Sequence, residues 1–330
     1  GTSRSRIACS DDFAIILANS NPSSSEQMIR SADSGASWAT VGPALPFRGI
    51  CMSSTGQIAY ACYGGSGRIY KSTDYGATWA VSSASPLKDY QQITCSADGS
   101  IVYVTVYGST QSYKSTDGGT NWNQIATLTS LEGIACSSNG LIVYAGTRAG
   151  DYYYVSSDGG ANWTTFNKSS SPIPVWAISC SSDGKYAIIG GTATTSYVTE
   201  DSGATWATVS IDSPSADSVE GVAVSADASI SYVSPNTNYV WKNTATFAPT
   251  VTGISPDSGP TTGGTAVTIT GTNFTAGSTA TIGGAAVTSL TYVSPTELTG
   301  VTPVGTVGAK DVVVTTAGGS GTLTNGYTYY

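Results

Sequence analysis

Short apolar runs that alternate with polar residues follow one another along this chain, and each run stops at a cluster of Ser, Asp, Asn, Thr or Gly. One stretch shows the pattern whole. ITCS at 93–96 reads as a strand, ADGS at 97–100 as a tight turn with the Asp-Gly hairpin signal, and IVYVTVYG at 101–108 as a second, β-branched strand. QSYKS at 111–115 is a third strand, TDGGTN at 116–121 a turn, and WNQIATL at 122–128 a fourth. No segment sustains the 3.6-residue apolar period of a helix. The pattern predicts an all-β chain built from four-stranded units.

The unit repeats, and repetition at a fixed period is the signature of a propeller or solenoid. SADSGASW at 31–38 returns as STDYGATW (72–79), STDGGTNW (115–122), SSDGGANW (156–163) and TEDSGATW (199–206). Its aspartates, Asp33, Asp74, Asp117, Asp158 and Asp201, stand 41, 43, 41 and 43 residues apart. A second phrase keeps step: IACS (7–10), ICMS (50–53), ITCS (93–96), IACS (134–137), ISCS (178–181) and VAVS (222–225). Six four-stranded units of about 40 residues predict a six-bladed β-propeller over residues 1–248. By VWKNTATF at 240–247 the sixth unit has lost the Asp and the Trp.

Within each phrase, an Asp followed two residues on by Gly35, Gly76, Gly119, Gly160 or Gly203 is turn chemistry. Trp38, Trp79, Trp122, Trp163 and Trp206 open the next strand, where a large ring can cover the hairpin end. The phrase resembles the Asp-box, or BNR repeat, of sialidases, some glucan-cleaving glycoside hydrolases and sortilin-type receptors. That resemblance implies that the Asp caps the turn with backbone N–H bonds, that the Gly takes positive φ and that the Trp packs between blades. Five near-identical copies point to a structural element rather than to a catalytic or metal site.

After Phe247 the texture changes. ISPDSGPTTGGT (254–265), VTITGTNF (267–274), ATIGGAAV (280–287), ELTGVTP (297–303) and KDVVVTTAGG (310–319) resemble an IPT/TIG domain, which implies an immunoglobulin-like sandwich over 249–330. Short alternating strands between Gly/Pro turns lead to a sandwich independently.

Composition narrows the chemistry. Thirteen Lys+Arg stand against 21 Asp+Glu, a net charge of -8, and no basic cluster exists to displace counterions from a nucleic acid. No window reaches the roughly 20 apolar residues of a membrane span. The chain has no His, which removes imidazole acid–base catalysis, Ser-His-Asp and Cys-His pairs and His-ligated zinc. No cofactor or metal is expected. Six cysteines are present, and Cys9, Cys51, Cys95, Cys136 and Cys180 are expected at one place in successive first strands, as buried free thiols. With Cys95 facing Val102, Cys51 is expected to face Ala59 and Cys62 to point to the other side of its sheet. Sequons at Asn162, Asn167 and Asn273 are possible glycan acceptors in a secreted eukaryotic chain.

One ring does not repeat. The residues two before each first-strand Ile or Val are Ser5, Arg48, Gln91, Glu132, Trp176 and Glu220, expected around the channel mouth with Arg68, Asp89, Tyr90, Arg148, Asp151 and Tyr152 nearby. A scaffold held constant beneath a varied ring suggests that the ring carries the binding function. A glycosidase would pair Glu132 with Glu220 across the mouth, but SRIA at 5–8 lacks the Pro of the sialidase pattern, and Arg48 and Arg148 are isolated. The expected role is that of a non-enzymatic extracellular, cell-surface or virion-surface protein. It would bind a glycan or protein, or self-associate into an assembly, with glycoside hydrolysis through paired carboxylates as the alternative.

Overall fold

The computed structural model describes residues 6–19, 27–82, 84–125, 128, 130–147, 152–166, 175–190, 195–210, 219–228, 230–235, 240–244 and 248–330, with the side chains of 195, 208–210, 220, 235 and 241–244 left aside. Among them every regular element is a β-strand. The chain divides into two compact units, Gly1–Asn243 and Thr244–Tyr330.

The first unit is a series of antiparallel sheets whose strands follow sequence order. Five have four strands, opening at Arg6–Cys9, Phe47–Met52, Tyr90–Cys95, Leu131–Cys136 and Ala177–Cys180. The sixth, opening at Val219–Val224, has three described strands; of ATFAPTV at 245–251, which reads as a weak closing strand, 245–247 lie outside the described residues, and Thr250 and Val251 belong instead to the strand Thr250–Ser255 of the second unit. The second strands of the second to fifth sheets are covered on both faces by their neighbours. Val102–Val106 and Val143–Thr147 are therefore buried at every position, and their sequences VYVTV and VYAGT keep little polar alternation. Fourth strands such as Ala80–Val81 and Asn123–Gln124 are short and exposed.

Neighbouring sheets are stitched by polar groups as well as by apolar packing. Backbone bonds run through the turns after the first strands, from Asp11 N to Ser54 O, Ser54 N to Ala97 O, Ala97 N to Ser138 O, Ser138 N to Ser182 O and Ser182 N to Ala226 O, at 2.7–2.8 Å. Buried Tyr60, Tyr103 and Tyr144 donate from second strands to Gly99 O, Gly140 O and Gly184 O of the following sheet, at 2.7–2.8 Å. The turns themselves are held by the Ser of the IxCS phrase: Ser10, Ser96, Ser137 and Ser181 donate to Asp12, Asp98, Asn139 and Asp183.

The second unit has two sheets. One orders Thr250–Ser255, Ala266–Thr272, Glu297–Val301 and Thr288–Ser294, and the other contains Ser258–Gly259, Gly319–Tyr329, Gly308–Thr316, Thr279–Ile282 and Ala285–Ala286. Alternate residues of both, including Val267, Ile269, Leu298, Val312, Val314 and Tyr327, meet in one apolar core. This is the period-2 burial expected when one face of each sheet is solvated.

Candidate functional site

The repeated turns have one geometry. Ser31 Oγ donates to Asp33 Oδ1 at 2.7 Å and accepts from Gly35 N at 2.8 Å. Asp33 Oδ1 also accepts from Ser37 N at 2.8 Å, and Oδ2 accepts from Ser37 Oγ at 2.5 Å. Thr78, Asn121, Asn162 and Thr205 play the part of Ser37 toward Asp74, Asp117, Asp158 and Asp201. The side-chain donor, then the backbone N–H, stabilises the carboxylate, so Asp33 and Asp74 are held at about 2 against an ordinary 3.8. The same two donors, with the backbone N–H first, hold Asp117 and Asp158 at about 2. Gly35, Gly76, Gly119, Gly160 and Gly203 have φ between +80° and +91°, a region L side chains avoid. Each Trp indole N–H donates back to that glycine's carbonyl at 3.0–3.2 Å. Burial of the rings differs, from half-exposed Trp38 to buried Trp206. All the hydrogen-bonding capacity of these aspartates that the geometry reveals is spent inside the turn. The amide of Asn162 is bound to Asp158 in the same way, and that of Asn273 donates to Ala248 O at 3.1 Å. Asn167 lies outside the described residues.

The non-repeating ring is less open than the sequence suggests. Arg48 Nη1 lies 2.8 Å from Asp89 Oδ1, both side chains about one-third exposed, and also donates to Gln91 Oε1 at 3.2 Å. Asp89 Oδ1 accepts from Gly65 N at 2.6 Å. Room for this pair depends on Gly64, where a Cβ would stand 2.2 Å from Arg48 Cζ and 2.4 Å from Asp89 Oδ1. Tyr90, expected at the mouth, is fully buried in the core between the second and third sheets, its hydroxyl donating to Pro86 O at 2.5 Å. Tyr90 begins a strand, and alternation turns its ring inward while Gln91 stays half-buried. Glu132 is only 5 % exposed and Trp176 is half-buried. Arg68 is half-buried. Ser5, Arg148, Asp151 and the side chain of Glu220 lie outside the described residues.

A cavity of about 450 Å³ opens among the first strands, with Cys9, Cys51, Cys95, Cys136 and Cys180 on its wall. All six cysteines are free. Cys9, Cys95, Cys136 and Cys180 share one register position, opposite Ile16, Val102, Val143 and Ala187. Cys51 does not. Met52 faces Ala59 and Cys51 faces Tyr60, because ICMS carries its Cys one place earlier than IACS. Cys62 faces Gly49 and is two residues from Tyr60, so Cys51 and Cys62 share a face. Cys9 is exposed and Cys51, Cys95, Cys136 and Cys180 are half-buried, against the expectation of burial; of the six only Cys62 is buried. Desolvation raises the Cys51, Cys136 and Cys180 thiols, Cys180 to about 12, leaving them protonated at neutral pH.

A second concavity, about 540 Å³, lies along the fourth sheet and is lined by Leu128, Tyr152, Tyr154, Ala161, Asn162, Trp163 and Thr165. Tyr154 pairs with Thr165 across the third and fourth strands. Tyr152 and Trp163 each stand two residues before one member of that pair, so alternation gathers all four on one face. The Tyr152 and Tyr154 rings are 6.1 Å apart and inclined by 34°, and Tyr152 is 40 % exposed. The sequence signal was there: Tyr-x-Tyr before one turn and Trp-x-Thr after it. In the second and third sheets Arg68 and Gln111 occupy the place of Tyr152.

Comparison with known proteins matches residues 59–210 to the DUF6242 beta propeller domain and residues 249–330 to the IPT/TIG domain. No curated protein matches the chain. Among solved structures it is similar to the GH74 enzyme of Niastella koreensis, at 18 % identity and TM-score 0.53 over 72 % of this chain and 36 % of that one. It is similar to the hydrazine synthase of Kuenenia stuttgartiensis, at 13 % and 0.58 over 72 % and 82 %. YCF48 from Cyanidioschyzon merolae aligns at 15 % and 0.54 over 92 % and 97 %. A GH74 xyloglucanase from Xanthomonas campestris aligns over 75 % of this chain, at 11 % and 0.54, and the chain spans between a third and a half of the two GH74 structures. Such likenesses carry the fold alone. Sheets, register and matched domains agree that this is an all-β chain with a propeller domain followed by an IPT/TIG, immunoglobulin-like domain.

Proposed function

We propose that this is a non-enzymatic extracellular, cell-surface or virion-surface protein that binds a glycan through its propeller domain. The observation that carries the reading is the groove formed by Tyr152, Tyr154 and Trp163. Aromatic faces fit the apolar faces of a pyranose, and Asn162 and Thr165 supply polar groups at its edge. The repeated turn resembles the Asp-box of secreted and surface proteins, which supports the location. The charged mouth supports binding less well, since Arg48 is already neutralised by Asp89. Resemblance in fold to a xyloglucanase makes neutral glucans the first ligands to try. On a glycan array followed by titration calorimetry, wild type is expected to retain neutral glycans and Tyr152→Ala to lose at least tenfold in affinity with its melting temperature unchanged. No retained glycan, or retention indifferent to Tyr152, rejects the groove. Hydrolysis that disappears in Glu132→Gln or Glu220→Gln replaces the reading with a glycosidase.

A second reading, self-association, is favoured by the end sheets. Ile7 is 71 % exposed, whereas its counterparts Ile50, Ile93, Ile134 and Ile178 are buried against the preceding sheet. Tyr232 is 42 % exposed, whereas Tyr60, Tyr103 and Tyr144 are buried.

A further inference from the structure

Side-chain direction alternates along each first strand. Ile50 packs with Leu17 of the sheet before it, and Ile93 packs with Tyr60 and Cys62 of the sheet before it. In the IxCS phrase the Ile and the final Cys therefore point backward, and the residue between them points forward to the next sheet. The forward residue meets the next sheet's backward one: Thr94 Oγ1 lies 3.7 Å from Cys136 Sγ. At the other junctions the forward residue is Ala8, Ala135 or Ser179. Only ICMS places a thiol there. Cys51 thus faces Cys95; both join the apolar cluster between the second and third sheets, and both line the 450 Å³ cavity.

We propose that Cys51 and Cys95 form a dithiol site that a small disulfide entering the cavity oxidises to an inter-sheet cross-link. One cysteine, as thiolate, attacks a sulfur of the small disulfide, forming a mixed disulfide and expelling one thiolate. The second cysteine, as thiolate, attacks the protein sulfur of that mixed disulfide, forming the Cys51–Cys95 bond and expelling the other half. The two cysteine protons pass to the two expelled thiolates; the protein pair is oxidised and the small disulfide is reduced to two thiols. Side chains that face each other from successive packed first strands are placed to approach as a bridge requires. Burial holds Cys51 protonated at neutral pH, so the reaction is slow there and quickens as pH rises.

The test exposes the full-length reduced protein to excess oxidised glutathione, then alkylates it in denaturant and weighs it. Apart from exposed Cys9, which takes up glutathione by itself, free thiols are expected to fall from five to three, with a single linked peptide joining Cys51 to Cys95. Cys62→Ser is expected to retain the link, whereas Cys51→Ser and Cys95→Ser, compared at matched melting temperature, lose it. Five free thiols besides Cys9 after exposure, a persistent glutathione adduct on Cys51 or Cys95, or a link to Cys62 each overturns the proposal.

Discussion

At the residue scale the repeated aspartates explain themselves chemically. Each carboxylate accepts from a hydroxyl or amide and a backbone N–H four residues on, contacts that spacing within one phrase can supply. Because Asp33, Asp74, Asp117 and Asp158 are depressed from 3.8 to about 2, the sign of the pH effect follows. Their contribution is fully present above the unfolded value near 4 and is lost as pH falls toward 2. Thermal melts are expected to be flat between about pH 7 and 5 and to decline steeply between about pH 4 and 2, with Asp74→Asn lessening the slope. A melting temperature independent of pH down to 2 contradicts this. The mouth was less legible. Arg48 is a lone cation on paper, and only packing brings Asp89, 41 residues away, to within 2.8 Å. Tyr90 sits one residue from Gln91, yet that single step separates core from rim.

At the element scale the sheets are joined by groups that sequence reading treats as filler. The Tyr of VYV and VYA looks like an ordinary strand residue, but Tyr103 OH bonds to Gly140 O and Gly159 O, at 2.8 and 2.9 Å, in a fully buried setting. Tyr103→Phe leaves the volume and removes the donor, stranding Gly140 O while Gly159 O keeps its bond from Lys114 Nζ at 2.6 Å, so a loss of about 1–3 kcal/mol is expected in urea unfolding. A change below about 0.5 kcal/mol would mean that water replaces the hydroxyl. The oxidised Cys51–Cys95 link acts on the same junction. By chain entropy its closed loop of 44 intervals would raise stability by at most about 4 kcal/mol.

At the scale of the whole molecule, a series of like sheets presents at its two ends the surfaces that are buried inside it. Exposed Ile7 and Tyr232 are those ends, and a contact between them in separate copies would be heterologous and extendable. Sedimentation velocity is expected to show mass rising with concentration, and Ile7→Asp is expected to suppress it; a concentration-independent monomer removes self-association. The sequence alone determined the all-β class, the repeat, the turn chemistry and the change of texture after Phe247, because each depends on neighbours within about ten residues or on a period. Tertiary structure alone decided that Cys51 faces Cys95, that Arg48 is neutralised and that Tyr90 is core. Those facts depend on which side of a strand each residue occupies and which sheet lies opposite, and one residue of offset, as between ICMS and IACS, reverses the answer.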